Sequence, residues 1–296
     1  MDKKYIFGFG FFDSVHIGHQ NLICRVLKIA KESDLEPSII TFDDDFYMLL
    51  NNPDKNIYLS SERDLLFNYY GINKIVTLKS SSTLNLTAKE FFENLLKNYK
   101  IEQIVVGGDF RLGKDQRDIN FLKEFCVSNN IRLNIVKLLN INGEKVSTST
   151  LRKYIKNGDV KMASILLGRY FAITGVVVPG RQEGRNNKLN TANIFIEEKK
   201  IIPKDGVYAT ISEINGQFYR SITHIGAIPT YNIDKLVIET HVFDFNSNIY
   251  NKNLKLYFID RIRDVKTFSQ KEDLYKQIEI DSKRAKRIKI NKKLIV

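Results

Sequence analysis

The sequence predicts an α/β domain built on a parallel sheet, followed by an antiparallel barrel or sandwich with a C-terminal helix. Up to about Gly168, short apolar runs alternate with amphipathic helical stretches, as in a parallel sheet covered by helices on its faces. From Tyr170 onward β-rich runs punctuated by Gly, Pro and Asn take over, which argues for several short antiparallel strands. The chain has 296 residues, room for about two domains, and its hydrophobic fraction of 43% can fill their cores.

Tyr5-Ile6-Phe7-Gly8-Phe9 reads as a short buried strand. A helix should follow, because Ile23, Val26, Leu27 and Ala30 repeat at i, i+3, i+4, i+7. Its start falls near His16 to His19, where backbone N–H groups and the positive dipole end favour an anion. Gly18 lets a phosphate approach the backbone, and His16 and His19 share one side of the first turn. A histidine near a helix start is ordinarily a cap or a surface residue. Two of the chain's four histidines around a glycine after a strand point instead to phosphate. Zinc is disfavoured, since Cys24 and Cys126 form no ligand-spaced cluster.

Further strands are expected at Ser38–Phe42, Lys74–Leu78, Gln103–Val106 and Leu133–Val136, and Thr87-Ala88-Lys89-Glu90 is a capping-box helix start. Ligands on such sheets sit at the carboxyl ends of the strands. The His16/His19 turn, Thr41-Phe42, Gly107-Gly108-Asp109 and Ser147 to Arg152 can therefore line one crevice. The Ser/Thr run also reads as a helix N-cap ahead of Leu151, and a cap offers the N–H groups and hydroxyls that a phosphate uses.

In the second half, strands are expected at Ile173–Val178, Val207–Ile211, Phe218–Ile225, Val237–Phe243 and Leu254–Ile259. Ser269-Gln270-Lys271-Glu272 reads as a capping box opening the last helix. The basic run from Lys283 to Lys293 reads as that helix's solvated face plus a frayed end. The net charge of +12 fits either nucleic acid or polyphosphate substrates. No apolar run approaches the ~20 residues of a membrane span, and the N-terminus does not read as a signal peptide. A cytoplasmic protein is expected, with both cysteines reduced and packed in helices.

Asp13-Ser14-Val15-His16-Ile17-Gly18-His19 is similar to the His-x-Gly-His signature of nucleotidylyltransferases, and its flanks resemble the bacterial bifunctional riboflavin kinase/FAD synthetase family. Val106-Gly107-Gly108-Asp109-Phe110-Arg111-Leu112-Gly113, Val146-Ser147-Thr148-Ser149-Thr150-Leu151-Arg152, Leu166-Leu167-Gly168-Arg169-Tyr170, Thr191-Ala192-Asn193, Ile225-Gly226-Ala227-Ile228-Pro229-Thr230 and Glu239-Thr240 resemble that family's motifs in its order. The resemblance implies a Rossmann-like nucleotidylyltransferase domain over 1–168 and an antiparallel β-barrel, riboflavin-kinase-like domain with a C-terminal helix over 169–296. It implies an enzyme that phosphorylates riboflavin to FMN and adenylylates FMN to FAD. Its partners would be ATP, riboflavin and FMN, with Mg²⁺ as the metal and neither membrane nor specific nucleic acid expected.

By the same resemblance, His16 and His19 serve the α-phosphate and leaving group, Phe12, Asp13 and Gly18 bind the nucleotide, and Asp109 helps bind the nucleotide or its metal. Ser147, Thr148, Ser149 and Arg152 hold the pyrophosphate side. In the second half Glu239 is the base, on one strand face with His241. Thr191 and Asn193, on one face of a strand, meet Mg²⁺ and phosphate oxygens, and Gly180, Gly184 and Arg185 loop over the phosphates. The chain departs from the pattern at several places. Lys188-Leu189-Asn190 replaces Gly-Phe-Pro, and Asp44-Asp45-Phe46 replaces Pro-His-Pro, adding negative charge near a polyphosphate site. Ser14 stands for a frequent glycine and His224 for asparagine. Two other readings compete: an FMN adenylyltransferase with a degenerate kinase domain, and a basic nucleic-acid-binding protein on a decayed enzyme scaffold.

Overall fold

The computed structural model describes residues 3–50, 52–179, 191–228 and 233–296, with the side chains of 227, 228 and 233–236 left aside. It divides into two compact units, Met1–Thr150 and Leu151–Val296.

The first unit runs β1 (Lys4–Phe9), α1 (Ile17–Ser33), β2 (Glu36–Phe42), α2 (Phe46–Leu49), α3 (Ser60–Tyr69), β3 (Lys74–Leu78), α4 (Ser80–Thr83), α5 (Ala88–Asn98), β4 (Lys100–Gly107), α6 (Ile119–Ser128), β5 (Arg132–Val136), and the short ribbon β6 (Asn140–Ile141) with β7 (Glu144–Lys145). Its sheet has the order β3-β2-β1-β4-β5 and every neighbouring pair is parallel. All the strands expected from the apolar runs are present. One side of the sheet buries Phe7, Phe9, Ile104 and Val106 against Phe91, Phe92, Leu95 and Leu122. Opposite, α1 buries Leu22, Ile23 and Val26. It lies so close to β1 that a Cβ on Gly8 would stand 2.8 Å from both Leu22 Cδ2 and Ile39 Cδ1. The capping box on α5 forms as expected, with the Thr87 hydroxyl accepting from the Glu90 N–H and Glu90 accepting from the Thr87 N–H.

This strand order positions the candidate site. From central β1 the chain moves to β2 on one side, and β4 returns on the other. Such a reversal opens a crevice at the carboxyl ends of the strands, where the loops after β1 and β4 part.

Helix α7 (Thr148–Lys156) spans the division between the units, and the second unit continues with α8 (Val160–Leu167), β8 (Phe171–Val178), β9 (Thr191–Phe195), β10 (Gly206–Ile214), β11 (Gln217–Ile228), β12 (Ile233–Val242), β13 (Asn253–Arg263) and α9 (Lys271–Arg287). The strands close into an antiparallel barrel, β10-β11-β12-β9-β8-β13. Closure removes the edges that a sandwich would leave. Tyr208, Phe171 and Phe258 pack as buried aromatics. Thr210, Ser212, Ser221, Thr223 and Thr240 are buried and satisfy one another through hydroxyl contacts of 2.8–2.9 Å. Strand alternation turns the intervening residues outward, and α9 covers part of that outer face through Val207, Ala209, Ile222, Ile262 and Ala285.

Three local expectations need correction. Helix α9 begins at Lys271 with Gln270 as its N-cap, and no side-chain cap bond forms. Ser269 lies one position too early for the reciprocal pairing, so Glu272 and Asp273 serve only the helix dipole. The end of the chain is not frayed, because Ile288, Ile290, Leu294 and Ile295 pack on a cluster with Tyr170 and Tyr257 and the Tyr170 N–H donates to the Leu294 carbonyl. Of the cysteines, Cys126 is buried and burial pushes its thiol up to about 11, whereas Cys24 is exposed on the solvent side of α1 rather than packed.

Candidate active sites

In the first unit the loop between β1 and α1 is held by strained backbone and a buried carboxylate. Phe12 and Val15 adopt φ of 52° and 44°, uncommon for any residue with a Cβ and most costly for a β-branched one. Asp13 is wholly buried. Its Oδ1 accepts from the Ile57 N–H at 2.7 Å and its Oδ2 from the Tyr47 hydroxyl at 3.1 Å. Phe12, also buried, sets its ring 5.0 Å from that of His19 and 5.5 Å from that of Phe67. Both residues anchor the loop.

His16 is the N-cap of α1, its Nδ1 accepting from the His19 N–H at 3.1 Å. That bond puts the proton of the neutral ring on Nε2, which becomes the donor nitrogen. The His16 and His19 rings stack with centroids 3.7 Å apart and planes 6° from parallel. A Cβ on Gly18 would lie 3.0–3.1 Å from the His16 ring, so glycine at that place makes room for the cap as well as for a ligand.

Ser147 caps α7 in turn, accepting from the Thr150 N–H at 3.2 Å and lying 2.9–3.0 Å from the Ser149 and Thr150 hydroxyls. Buried Ser14 meets Thr148 hydroxyl to hydroxyl at 3.3 Å. That contact brings the start of α7 beside the start of α1. Two helix N-termini therefore meet at the crevice, and the N–H groups of Ile17, Gly18, Thr148 and Ser149 have no partner inside their helices by geometry. Arg152 is buried on α7, one turn beyond Thr148, and falls in the second unit.

Asp109 follows β4, and its exposed carboxylate pairs with Lys145 Nζ at 2.6 Å. The negative charge expected at Asp44 is met internally: Arg63 lies 3.3 Å from its Oδ1, which also accepts from the Ser60 N–H and hydroxyl. Phe46, where the family resemblance would place a proline, stacks on Phe11 at 4.5 Å. Arg63 belongs to Ser60-Ser61-Glu62-Arg63, which reads in the sequence as an ordinary polar helix start. No local pattern marks it.

In the second unit, register aligns His224 of β11, Glu239 of β12 and Asn193 of β9 in one row across the barrel. The row faces outward, since the adjacent Thr223 and Thr240 belong to the buried hydroxyl set. The Thr191 hydroxyl donates to Glu239 Oε1, so β9 and β12 bring together a hydroxyl, an amide and a carboxylate. These hard oxygen donors suit a divalent cation. Burial and the nearby Arg263 hold His224 below its usual pKa, with Asp205 opposing them. Gly180, Gly184, Arg185 and Lys188-Leu189-Asn190 lie outside the described residues.

Comparison with known proteins identifies the two units. The FAD synthetase family profile matches residues 1–150 and the riboflavin kinase profile residues 167–289. The chain belongs to the bifunctional riboflavin kinase/FMN adenylyltransferase family. A protein so named from Buchnera aphidicola subsp. Schizaphis graminum is 34% identical, covering 92% of this chain and 90% of its own length. Another from Bacillus subtilis is 29% identical over 95% of this chain and 92% of its own. A crystal structure described as a macrolide-efflux protein from Streptococcus pneumoniae superposes with a TM-score of 0.88 at 30% identity, covering 98% of this chain and 96% of that one. Among the described residues no helix is long and apolar enough to cross a membrane. The parallel sheet, the closed antiparallel barrel and the C-terminal helix are those that the family resemblance implied.

Proposed function

We propose that the crevice of the first unit transfers the adenylyl group of ATP to FMN, and that the outer barrel face of the second phosphorylates riboflavin. Support for the first step rests on the convergence of the α1 and α7 N-termini through Ser14 and Thr148. In that step a phosphate oxygen of FMN attacks the α-phosphorus of ATP, the bond to the bridging oxygen breaks, and pyrophosphate leaves. Charge gathers on oxygens, so catalysis needs positioned donors more than a covalent nucleophile. His16 Nε2–H and His19 serve the α-phosphate and leaving group. The Gly18 backbone gives close approach, and Ser147, Thr148, Ser149 and Arg152 hold the pyrophosphate. Phe12 and Asp13 act by fixing the loop, and Asp109 with Lys145 borders the nucleotide.

In the kinase step the terminal hydroxyl of riboflavin attacks the γ-phosphorus while Glu239 takes its proton, and ADP leaves. Thr191 and Asn193 supply oxygen ligands for Mg²⁺, which when bound neutralises phosphate charge. Gly180, Gly184 and Arg185 are assigned to the loop over the phosphates. The working boundary between modules falls at Gly168 and Arg169. Both steps consume ATP, in keeping with a cytoplasmic enzyme.

The test is product chromatography after incubation with riboflavin, ATP and Mg²⁺, and again with FMN. FMN and FAD are expected from riboflavin, and FAD from FMN. His19→Ala should lower FAD formation by about 100-fold or more and spare FMN formation. Glu239→Ala should do the reverse, by about 100-fold. FAD from FMN without any FMN from riboflavin would leave only the adenylyltransferase. If either substitution left both products unchanged, its assignment would fall.

A further inference from the structure

Arg63 of α3 is wholly buried, and its guanidinium spans the ends of two strands. Nη1 donates to the Phe11 carbonyl at 2.8 Å and to the Thr41 hydroxyl at 3.0 Å. Nη2 donates to the Phe42 carbonyl at 2.7 Å, the Ser60 hydroxyl at 2.9 Å and Asp44 Oδ1 at 3.3 Å. The Thr41 hydroxyl itself donates to the Phe11 carbonyl at 2.6 Å, so that one oxygen receives two bonds. The guanidinium carbon also stands 5.2 Å from the centre of the Phe11 ring.

Taking a cation out of water is expensive unless acceptors and a counter-charge surround it, and this one has five acceptors with a carboxylate among them. What that arrangement fixes is the exit of β1 relative to the exit of β2. Phe11 immediately precedes Phe12, the first of two residues of positive φ, Phe12 and Val15, that turn the chain into the His16 cap. A backbone forced through such conformations relaxes unless its surroundings over-determine it.

We propose that Arg63 is a positioning residue for adenylyl transfer, clamping the Phe11 and Phe42 carbonyls so that the strained loop presents His16 and His19 in reacting geometry. The proposal rests on the reading of the first unit as the adenylyltransferase. A planar fork is required, because Nη1 holds the Phe11 carbonyl after β1 while Nη2 holds the Phe42 carbonyl at the end of β2; lysine offers one point charge and cannot span them. Arg63 touches no reacting atom, so its loss should reach the chemical step rather than substrate affinity.

The experiment measures FAD formation from FMN and ATP by the full chain, with Arg63→Lys and Thr41→Val as variants. Rates are divided by the folded fraction from near-UV circular dichroism, and riboflavin phosphorylation by the same samples is the internal control. For Arg63→Lys, kcat should fall about 10- to 100-fold, the loss expected when reacting groups move by ~1 Å, while KM for ATP and FMN stays within about threefold. FMN formation should stay within about twofold of the unaltered chain. Thr41→Val, nearly isosteric, should lower kcat in the same direction by about fivefold, and it carries the test where Arg63→Lys does not fold. Unchanged kcat per folded molecule in the variants, or a raised KM at unchanged kcat, would overturn the positioning role while leaving the adenylyltransferase intact. Absence of FAD from the unaltered chain would remove the reading of the site, and this proposal with it.

Discussion

At the scale of single residues, the loop after β1 shows how one side chain can serve fold and chemistry together. His16 caps its helix through Nδ1, an interaction of about 0.5–2 kcal/mol for ordinary capping residues, and that same bond selects the tautomer that leaves Nε2–H to donate. Gly18 is coupled to it. Gly18→Ala would place a methyl group 3.0–3.1 Å from the His16 ring, pushing the ring from its cap. FAD formation should fall by about tenfold or more with FMN formation unchanged, measured by the same chromatography; a Gly18→Ala protein of full FAD activity would show that the ring has room to move. Sequence spacing made the two histidines and the glycine legible. The N-cap role of His16 was only one of several ordinary readings, because a cap is defined by which N–H the ring reaches.

Among the elements, β11 carries a pH-dependent part of the second unit's stability. Burial and Arg263 depress the pKa of His224 from 6.5 in the folded state, while Asp205 pulls the other way. The unfolded chain therefore binds a proton at this residue below about pH 6.5, where the folded chain still excludes it, and stability rises with pH across that window. Unfolding of the second unit, followed by denaturant titration between about pH 8 and pH 5, should show full stability above pH 6.5 and a decline below it. The decline ends where the folded imidazole itself takes the proton. His224→Asn should flatten the decline; an equal slope in that variant would assign the dependence elsewhere. Strands and helices were readable in the sequence at this scale, since periods of 2 and 3.6 are local properties. The start of α9 was not, because Ser269-x-x-Glu272 satisfies the capping pattern by composition while the backbone enters the helix one residue later.

For the whole molecule, the charge of +12 is the property that composition reports and structure qualifies. Several cations of the basic C-terminal run have internal partners: Lys283 pairs with Glu279 at 2.7 Å, Arg284 donates to the Ile262 carbonyl at 3.1 Å, and Lys286 lies 4.7 Å over the Phe243 ring. Titration with RNA at rising salt should therefore give only loose association, weaker than micromolar at ~0.15 M salt. Micromolar or tighter binding with a steep salt slope would favour a nucleic-acid role for this face. Near the first site the same lesson holds with opposite sign. The Asp44 carboxylate, which by sequence threatens a polyphosphate site, is met by an Arg63 that lies 19 residues away.

The sequence by itself determined the principal strands, the change from parallel to antiparallel architecture, and the motifs of the family, because apolar period, turn residues and motif spacing are written along the chain. Tertiary structure alone decided which oxygens surround Arg63, that Ser14 meets Thr148 across 134 residues, and that Thr191 reaches Glu239 across 48. Such contacts depend on strand order and register, and a partner distant along the chain leaves no periodic trace in either segment.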